Sequence, residues 1–294
     1  MTPTLNLSAR EQAANFLSLL TETAVRRAPA KDRPGHTQPN SLAPISATIL
    51  TKNSEALLGQ VLAALDWCEE VVVLDTGSTD RTLAIADSFA NVSVHRWAGP
   101  FPGFGRAHRR AVELARHDWI LSIDSDEIVS PELTEEIRAL PLGETGVVYT
   151  IPFKNYYAGK HITSCGWSPD RHERLFNRRV TNFCASEVHE RVQTRNVEVV
   201  TLRHAIEHHS YRSIDDFLRK MNAYSHLFAE QNCGRKSPGA MTAVARSGWA
   251  FFKSYFLERG FRQGAEGLTI SAYKSQVVFW KYLMLREANL QRAT

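Results

Sequence analysis

Two acidic segments each follow an apolar run in this 294-residue sequence. The run VVVLD ends in Asp75, and the run WILSID ends in Asp124 and continues through Ser125 to Asp126 and Glu127. Residues i and i+2 of an extended segment point the same way, so Asp124 and Asp126 are expected to reach one cation together. Mg²⁺ and Mn²⁺ prefer oxygen ligands and complete their shells with water and substrate phosphates. The spacing therefore predicts a metal site that holds a diphosphate.

Local turn chemistry offers a second interpretation of the same segments. Residues 78–80 are Ser, Thr and Asp, which are typical caps of the helix expected to follow them. Residues 124–127 could likewise be a solvated turn before the helix that Pro131 opens. Asp75 precedes the capping residues, at a strand end, where a carboxylate can accept hydrogen bonds from a base or a ribose. We therefore interpret Asp75, rather than its neighbours, as a ligand-binding residue.

Strand-like and helix-like segments alternate from residue 44 onward. Apolar runs predict strands at 45–50, 71–74, 92–95, 119–123 and 147–153, and helical periodicity predicts helices at 55–65, 80–90, 106–116 and 131–140. This alternation predicts an α/β fold with a mostly parallel sheet flanked by helices on both faces. Ligands of such sheets bind at the carboxyl ends of the strands, which is where both acidic segments lie.

Three regions are expected along the chain. Residues 1–43 predict a helix at 8–27 followed by a proline-rich flexible linker. Residues 44–210 form the expected α/β domain, and residues 211–294 a helical region in which aromatic and basic residues recur. Two stretches there, 249–262 and 273–286, suit either packing onto the rest of the protein or a helix lying in a lipid headgroup layer. We expect peripheral membrane contact.

The composition is ordinary for a soluble globular protein, with 43% hydrophobic and 22% charged residues. The net charge of +4 is accompanied by no recognisable nucleic-acid-binding module, so we expect no nucleic-acid partner. No apolar stretch approaches the roughly 20 residues that span a bilayer, and the N-terminus lacks a signal-peptide pattern. The four cysteines show no CxxC pair. These features predict a cytoplasmic location, at the inner face of the cell membrane.

Several stretches together resemble a known family. ATILTKNSE, VVVLDTGSTDRT, GFGRAHRRAVELA and DWILSIDSDE are similar to the inverting family 2 glycosyltransferases of GT-A fold. The later CGWSPDRHERLF and ASEVHERV resemble the branch that contains lipopolysaccharide core-biosynthesis glucosyltransferases. The resemblance implies a GT-A type sheet with a helical C-terminal extension. It also implies transfer of a hexose, glucose first among candidates, from a UDP-sugar to a lipopolysaccharide-core or related glycolipid acceptor, with Mg²⁺ or Mn²⁺.

The resemblance also implies a nucleotide pocket. Thr51 and Asn53 stand where the family's first strand ends and lines this pocket, and Asp75 matches the acidic residue that contacts uracil. Arg106 lies in the loop-to-helix segment that closes over the nucleotide. Arg109 stands where many relatives have a polar residue, which leaves the details of that contact open.

Metal and catalytic roles are implied in the same way. Asp124 matches the residue near the ribose and the metal, and Asp126 the residue on the metal. An inverting transfer is a single displacement that needs a base on the acceptor hydroxyl. Glu190 resembles the acidic residue on the acceptor side and is the first candidate for this base. Asp170 is the second candidate, although it could instead position the donor sugar or pair with a nearby arginine.

Other functions share some of these features. A nucleotidyltransferase can use the same sheet and a metal–carboxylate site, and an inactive scaffold could retain nucleotide-sugar binding alone. Histidines are plentiful, but the HExxH pattern of a zinc hydrolase is absent.

Overall fold

The computed structural model describes residues 43–101, 103–184 and 191–293. The helix and linker expected before residue 43 lie outside these residues, as does Glu190. The expected division at residues 43 and 210 stays a prediction. The structure separates into two compact units, and one of them contains both Lys154–Pro169 and the chain from His209 onward. The other unit holds the described residues up to Phe153 and the Asp170–His208 segment.

Ten strands of the described chain form one sheet. Their bounds are β1 Ile45–Thr51, β2 Glu70–Asp75, β3 Val92–Arg96, β4 Trp119–Asp124, β5 Glu127–Val129, β6 Val147–Tyr157, β7 Lys160–His161, β8 Arg171–Asn177, β9 Glu198–Thr201 and β10 Ile206–Tyr211. The strand order is β3-β2-β1-β4-β8-β6-β10-β5, with β7 and β9 paired to β6. Neighbours from β3 to β4 are parallel, whereas β8 runs antiparallel to both β4 and β6.

Helices cover both faces of the parallel part. The described helices are α1 Leu58–Ala63, α2 Thr82–Ala86, α3 Phe104–Leu114, α4 Pro131–Arg138, α5 Ile214–Asn232, α6 Ala240–Phe252 and α7 Gly264–Ala293. One face of β1 packs with Leu58 and Leu62 of α1, and the other packs with Phe104 and Ala107 of α3. Because both faces are covered, every residue of β1 and β2 is buried. The expected α/β fold with flanking helices is confirmed.

The unit that contains the C-terminal helices has its own aromatic core. Tyr157, Trp167, Tyr211, Phe217 and Tyr273 pack together in it. Helix α5 begins with a capping box between Ser213 and Asp216, which satisfies exposed N–H groups of its first turn. Within the residues that the structure describes, no helix combines the length and the apolar character needed to cross a membrane.

The two aromatic and basic stretches of this unit differ in exposure. In the second stretch, Tyr273, Val277 and the stems of Lys274 and Lys281 are buried, so this stretch mainly forms core. The first stretch, by contrast, exposes its large aromatic rings. Sequence periodicity could not separate the two, because both carry the same residue types at helical spacing.

Candidate functional site

Three strand ends meet at one edge of the parallel sheet. Thr51 lies opposite Asp75 in the ladder between β1 and β2, and Leu50 lies opposite Asp124 in the ladder between β1 and β4. Parallel strands end on the same side, so residues from distant parts of the chain become neighbours there. The hydroxyl of Thr51 is buried and has no hydrogen-bond partner among the described residues. The expected pocket residues therefore share one edge.

The carboxylate of Asp75 holds the turn that follows β2. It accepts hydrogen bonds from the Gly77 backbone N–H at 3.0 Å and from the Ser78 backbone N–H at 3.1 Å, and also from the Ser78 hydroxyl. Gly77 has a φ of 110°, a conformation that suits glycine. Asp75 is thus buried and structurally engaged, and its expected contact with uracil stays a prediction.

Asn53 and Ser54 tie the loops of this edge together. The Asn53 side-chain oxygen accepts a hydrogen bond from the Thr79 backbone at 2.8 Å, and its backbone N–H donates to the Ser78 hydroxyl at 2.9 Å. The Ser54 hydroxyl lies 2.8 Å from that of Ser125, in the turn after β4. The loops after β1, β2 and β4 therefore form one hydrogen-bonded surface, and sequence analysis missed the contribution of Ser54 and Ser125.

Asp124 and Asp126 do not belong to one extended segment, so that expectation is wrong. Strand β4 ends at Asp124, residues 125–126 form a turn, and β5 begins at Glu127. The turn is closed by Glu127, whose carboxylate accepts a hydrogen bond from the Asp124 backbone N–H at 2.9 Å. The two aspartates consequently have different partners, and each partner comes from the antiparallel part of the sheet.

Arg174 on β8 joins Asp124 and Glu127. Its guanidinium lies 2.8 Å from the Asp124 carboxylate and also bonds Glu127. The ladder between β6 and β8 shifts register at Thr150, so that Arg174 has no counterpart on β6. Such an irregularity can redirect a side chain toward a site. Sequence analysis gave Glu127 only as the last residue of the acidic segment, without this role, and it did not identify Arg174, which nothing local marks.

Burial and the charge of Arg174 together shift the pKa values of this triad's two carboxyl groups in opposite directions. Burial opposes ionisation of Asp124, yet the adjacent Arg174 holds the pKa of Asp124 below its usual range. Burial raises the pKa of Glu127 well above its usual range, against the pull of Arg174. Arg174 and Asp124 thus form a charged pair, and burial disfavours the charged form of the adjacent Glu127.

His108 on α3 approaches this triad from the covering helix. It is buried and stacks on Phe183, with ring centroids 4.6 Å apart. Burial lowers the pKa of His108 to about 4, so the ring is neutral at pH 7. Arg106, two residues earlier, lies in the first turn of α3 and is exposed. The structure therefore leaves Arg106 accessible, as its expected role over the nucleotide requires.

Asp126 faces His208 of β10. The histidine Nε2 lies 3.6 Å from an Asp126 carboxylate oxygen, and the two side chains are 19% and 21% exposed. A carboxylate and an imidazole at this separation suit a divalent cation that keeps substrate phosphates among its ligands. Within the described chain, no cluster of three His, Cys, Asp or Glu residues could hold a metal by itself. The Asp126 carboxylate and the His208 imidazole are two neighbouring groups of metal-ligating type.

Phe153 lies at the centre of the remaining side chains. The rings of His172 and His208 both meet it edge-on, at 4.8 Å and 5.8 Å between centroids. The Arg174 guanidinium lies over the same ring at 5.3 Å. Phe153 therefore lies between His208 on one side and His172 and Arg174 of β8 on the other.

The second base candidate lies at the start of β8. The Asp170 carboxylate lies 3.0 Å from the Nε2 of His172, and the Asp170 side chain is only 11% exposed. The backbone carbonyl of Asp170 accepts a hydrogen bond from Phe153. The first candidate, Glu190, lies outside the described residues. Its catalytic role, like that of Asp170, stays a prediction.

Comparison with known proteins decides the family. Residues 46–197, just over half of the chain, match the model of glycosyl transferase family 2. The chain belongs to this family. This family 2 protein is therefore a glycosyltransferase, and the segment that carries the described acidic edge lies inside the matched range.

Relatives along most of the chain support the same assignment. An uncharacterized glycosyltransferase of Rickettsia bellii (strain RML369-C) is 30% identical over 261 residues, which cover 84% of this chain and 87% of the relative. The lipopolysaccharide core biosynthesis glycosyltransferase LpsC of Rhizobium meliloti (strain 1021) is 27% identical over 229 residues, covering 76% and 85%. Among solved structures, the mannosyltransferase PcManGT of Pyrobaculum calidifontis, in complex with GDP-Man and Mn²⁺, aligns over 98% of this chain and 97% of its own at 15% identity and a TM-score of 0.47.

Proposed function

We propose that this family 2 glycosyltransferase transfers a hexose, with glucose as the first candidate, from a UDP-sugar to a lipopolysaccharide-core or related glycolipid, with inversion. The observation that carries the acceptor class is the likeness to LpsC over 76% of this chain. Because the donor would be a cytosolic nucleotide-sugar and the acceptor a membrane glycolipid, we propose that the enzyme acts at the inner face of the cell membrane.

The nucleotide is proposed to bind over the β2-β1-β4 edge. Thr51 and Asn53 line it, Asp75 contacts the uracil, and Arg106 reaches over it from α3. In support of this arrangement, the Asn53 and Asp75 side chains fix the loops after β1 and β2 by hydrogen bonds to backbone N–H groups. A site with such fixed loops is preorganised, so little ordering is required when the donor binds.

The diphosphate is proposed to bind beside the turn after β4. Asp126 and His208 would hold Mg²⁺ or Mn²⁺ directly, and Asp124 would bind the ribose and add a second carboxylate. The cation supplies positive charge that offsets the charge developing on the departing UDP. Arg174 keeps Asp124 in its anionic form and in place.

The acceptor hydroxyl needs a base on the side opposite the leaving group. We propose Glu190 for this role and Asp170 as the second candidate. Asp170 already has the imidazole of His172 at 3.0 Å, which favours a positioning role for it. Glu190 then accepts the acceptor proton while the hydroxyl oxygen forms the new glycosidic bond and the bond to UDP breaks.

A UDP-release assay tests the proposal. The purified chain is incubated with a panel of nucleotide-sugars and with delipidated core oligosaccharide, each with Mn²⁺, with Mg²⁺ or with chelator. The proposal expects UDP release from UDP-glucose that depends on metal and rises with acceptor. Pyrophosphate release from nucleoside triphosphates would indicate a nucleotidyltransferase, and donor binding without turnover would indicate a scaffold.

A further inference from the structure

Helix α6 and the turns after it expose a continuous row of large apolar side chains, here called the aromatic face. Its exposed fractions range from 44% to 76%. Its members are Met241, Val244, Trp249, Phe252, Phe256, Leu257 and Phe261. Trp249 stacks with Phe252 at 5.8 Å between centroids, and Phe252 contacts Phe256 at 5.2 Å. A contiguous apolar surface of this kind marks an interaction site more often than an isolated exposed residue does.

Helix α6 packs into its own unit with its small residues. Ala243 is its buried residue, and the Ser247 hydroxyl lies 2.8 Å from that of Ser275 on α7. A helix that simply completed a core would bury its rings and expose its small and polar residues. Here the arrangement is reversed. The rings of Trp249, Phe252 and Phe256 are therefore exposed and lie outside the core of this unit.

Basic residues outnumber acidic ones along the aromatic face, since Arg246, Lys253 and Arg259 lie within it and Glu258 is its one acidic residue. Residues 231–257 contain no Asp or Glu but include Arg246 and Lys253. Arg262 follows and is exposed. Glu258 pairs with the buried Lys274, whose Nζ lies 3.0 Å from its carboxylate, and with Lys253 at 3.5 Å, so the exposed Arg246, Arg259 and Arg262 supply the remaining positive charge of the rim. Exposed aromatic rings with a basic rim complement a layer of anionic lipid headgroups.

We propose that the aromatic face inserts into the headgroup layer of an anionic phospholipid bilayer. The inference rests on the proposed function, since a glycolipid acceptor is held in such a bilayer, and it adds the surface by which the enzyme reaches it. The aromatic rings of this face insert between the headgroups, and the neighbouring Lys and Arg side chains give the preference for anionic lipid. Tyr273 and Val277 of the second aromatic stretch take no part because they are buried.

Vesicle co-sedimentation of the full chain tests this inference. Vesicles of phosphatidylcholine, with and without phosphatidylglycerol, are compared for the wild type and for two variants. The first variant combines Trp249→Ser, Phe252→Ser and Phe256→Ser, and the second combines Lys253→Gln and Arg262→Gln. The matched control combines Ile214→Ser and Leu218→Ser, two side chains of α5 that are 58% and 47% exposed outside the aromatic face.

The expected result is a loss of vesicle binding of about tenfold or more for the serine variant, and a loss of the preference for phosphatidylglycerol for the glutamine variant. The control should bind as the wild type does. Equal binding by the serine variant and the wild type would overturn the inference. A second result would also overturn it: the wild type is a dimer in solution and binds no vesicles, and the serine variant is a monomer. A second copy of the chain would then cover the aromatic face.

UDP release from UDP-glucose, measured on the same samples without lipid, separates this inference from the proposed function. Wild-type protein that releases UDP but ignores vesicles overturns the inference alone. Protein that binds vesicles through the aromatic face but processes no UDP-sugar overturns the proposed function alone. Unchanged thermal unfolding of both variants shows that any loss of binding comes from the surface.

Discussion

The imidazole Nε2 of His208 lies 3.6 Å from the carboxylate of Asp126, although the two residues belong to β10 and to the turn after β4. This pair places an imidazole nitrogen from the antiparallel part of the sheet beside the acidic edge of the parallel part. In the proposed metal site, Asp126 and His208 would each supply one donor atom. The pair therefore determines which variants best test the metal role.

Asp126→Ala and His208→Ala should each abolish metal-dependent UDP release, or demand a much higher Mn²⁺ concentration, because each removes one of two proposed ligands. For the variant with the smaller effect, metal affinity is still expected to fall by at least about 10-fold, since even the loss of a group that only orients a ligand costs about 10- to 100-fold. The measurement is UDP release against Mn²⁺ concentration. Matched controls are Asp87→Ala, an exposed aspartate, and His117→Ala, which pairs with Glu69 at the amino end of β4. Full turnover by Asp126→Ala in chelator would exclude the metal role.

Arg174→Met should lower the free energy of unfolding by about 3 kcal/mol, because it removes the buried cation that the partly exposed Asp124 and the buried Glu127 share. Glu127→Gln should cost less than about 1 kcal/mol, because the amide resembles the neutral acid that burial favours. Urea unfolding measures both. The control is Arg179→Met, an exposed partner of Asp118, with an expected cost of less than about 1 kcal/mol. A larger cost for Glu127→Gln than for Arg174→Met would show that Glu127 is ionised.

Glu190→Gln should lower kcat by about 10²- to 10⁴-fold while leaving the binding of UDP-glucose unchanged, because it removes the proposed base but no donor ligand. Asp170→Asn should have the smaller effect on kcat, since Asp170 is paired with His172. Steady-state kinetics together with equilibrium binding of UDP-glucose separates the two effects. Wild-type turnover by Glu190→Gln with a large loss in Asp170→Asn would move the base to Asp170.

His108 should make folding stability depend on pH. Its pKa of about 4 in the folded protein lies below the unfolded value of 6.5, so the unfolded chain binds more protons between these pH values. Stability therefore rises with pH across this window, by up to about 3 kcal/mol from this residue. His108→Phe should make the difference between the unfolding free energies at pH 4.5 and pH 7 smaller. An unchanged difference would mean that His108 titrates normally in the folded protein.

Much of the parallel sheet could be predicted from sequence. Apolar runs located β1, β2 and β4 to within one or two residues, because a strand that is buried on both faces needs no partner information to be recognised. The edge strand β3, which is only partly buried, was located from Val92 and Val94. Strands β8 and β10 could not be found in this way. They carry charged and histidine residues on partly exposed faces, and they become strands through antiparallel pairing with distant segments.

By itself, the sequence determined the family, the acidic edge formed by Asp75 and Asp124, and the helical character of the C-terminal region. These signals are local, since they depend on neighbouring residues and on spacing. Only the tertiary structure decided that Arg174 binds Asp124, that His208 faces Asp126, and that Trp249 is exposed whereas Tyr273 is buried. Such partners are chosen by long-range strand pairing and helix packing, which bring together residues whose separation along the chain carries no pattern.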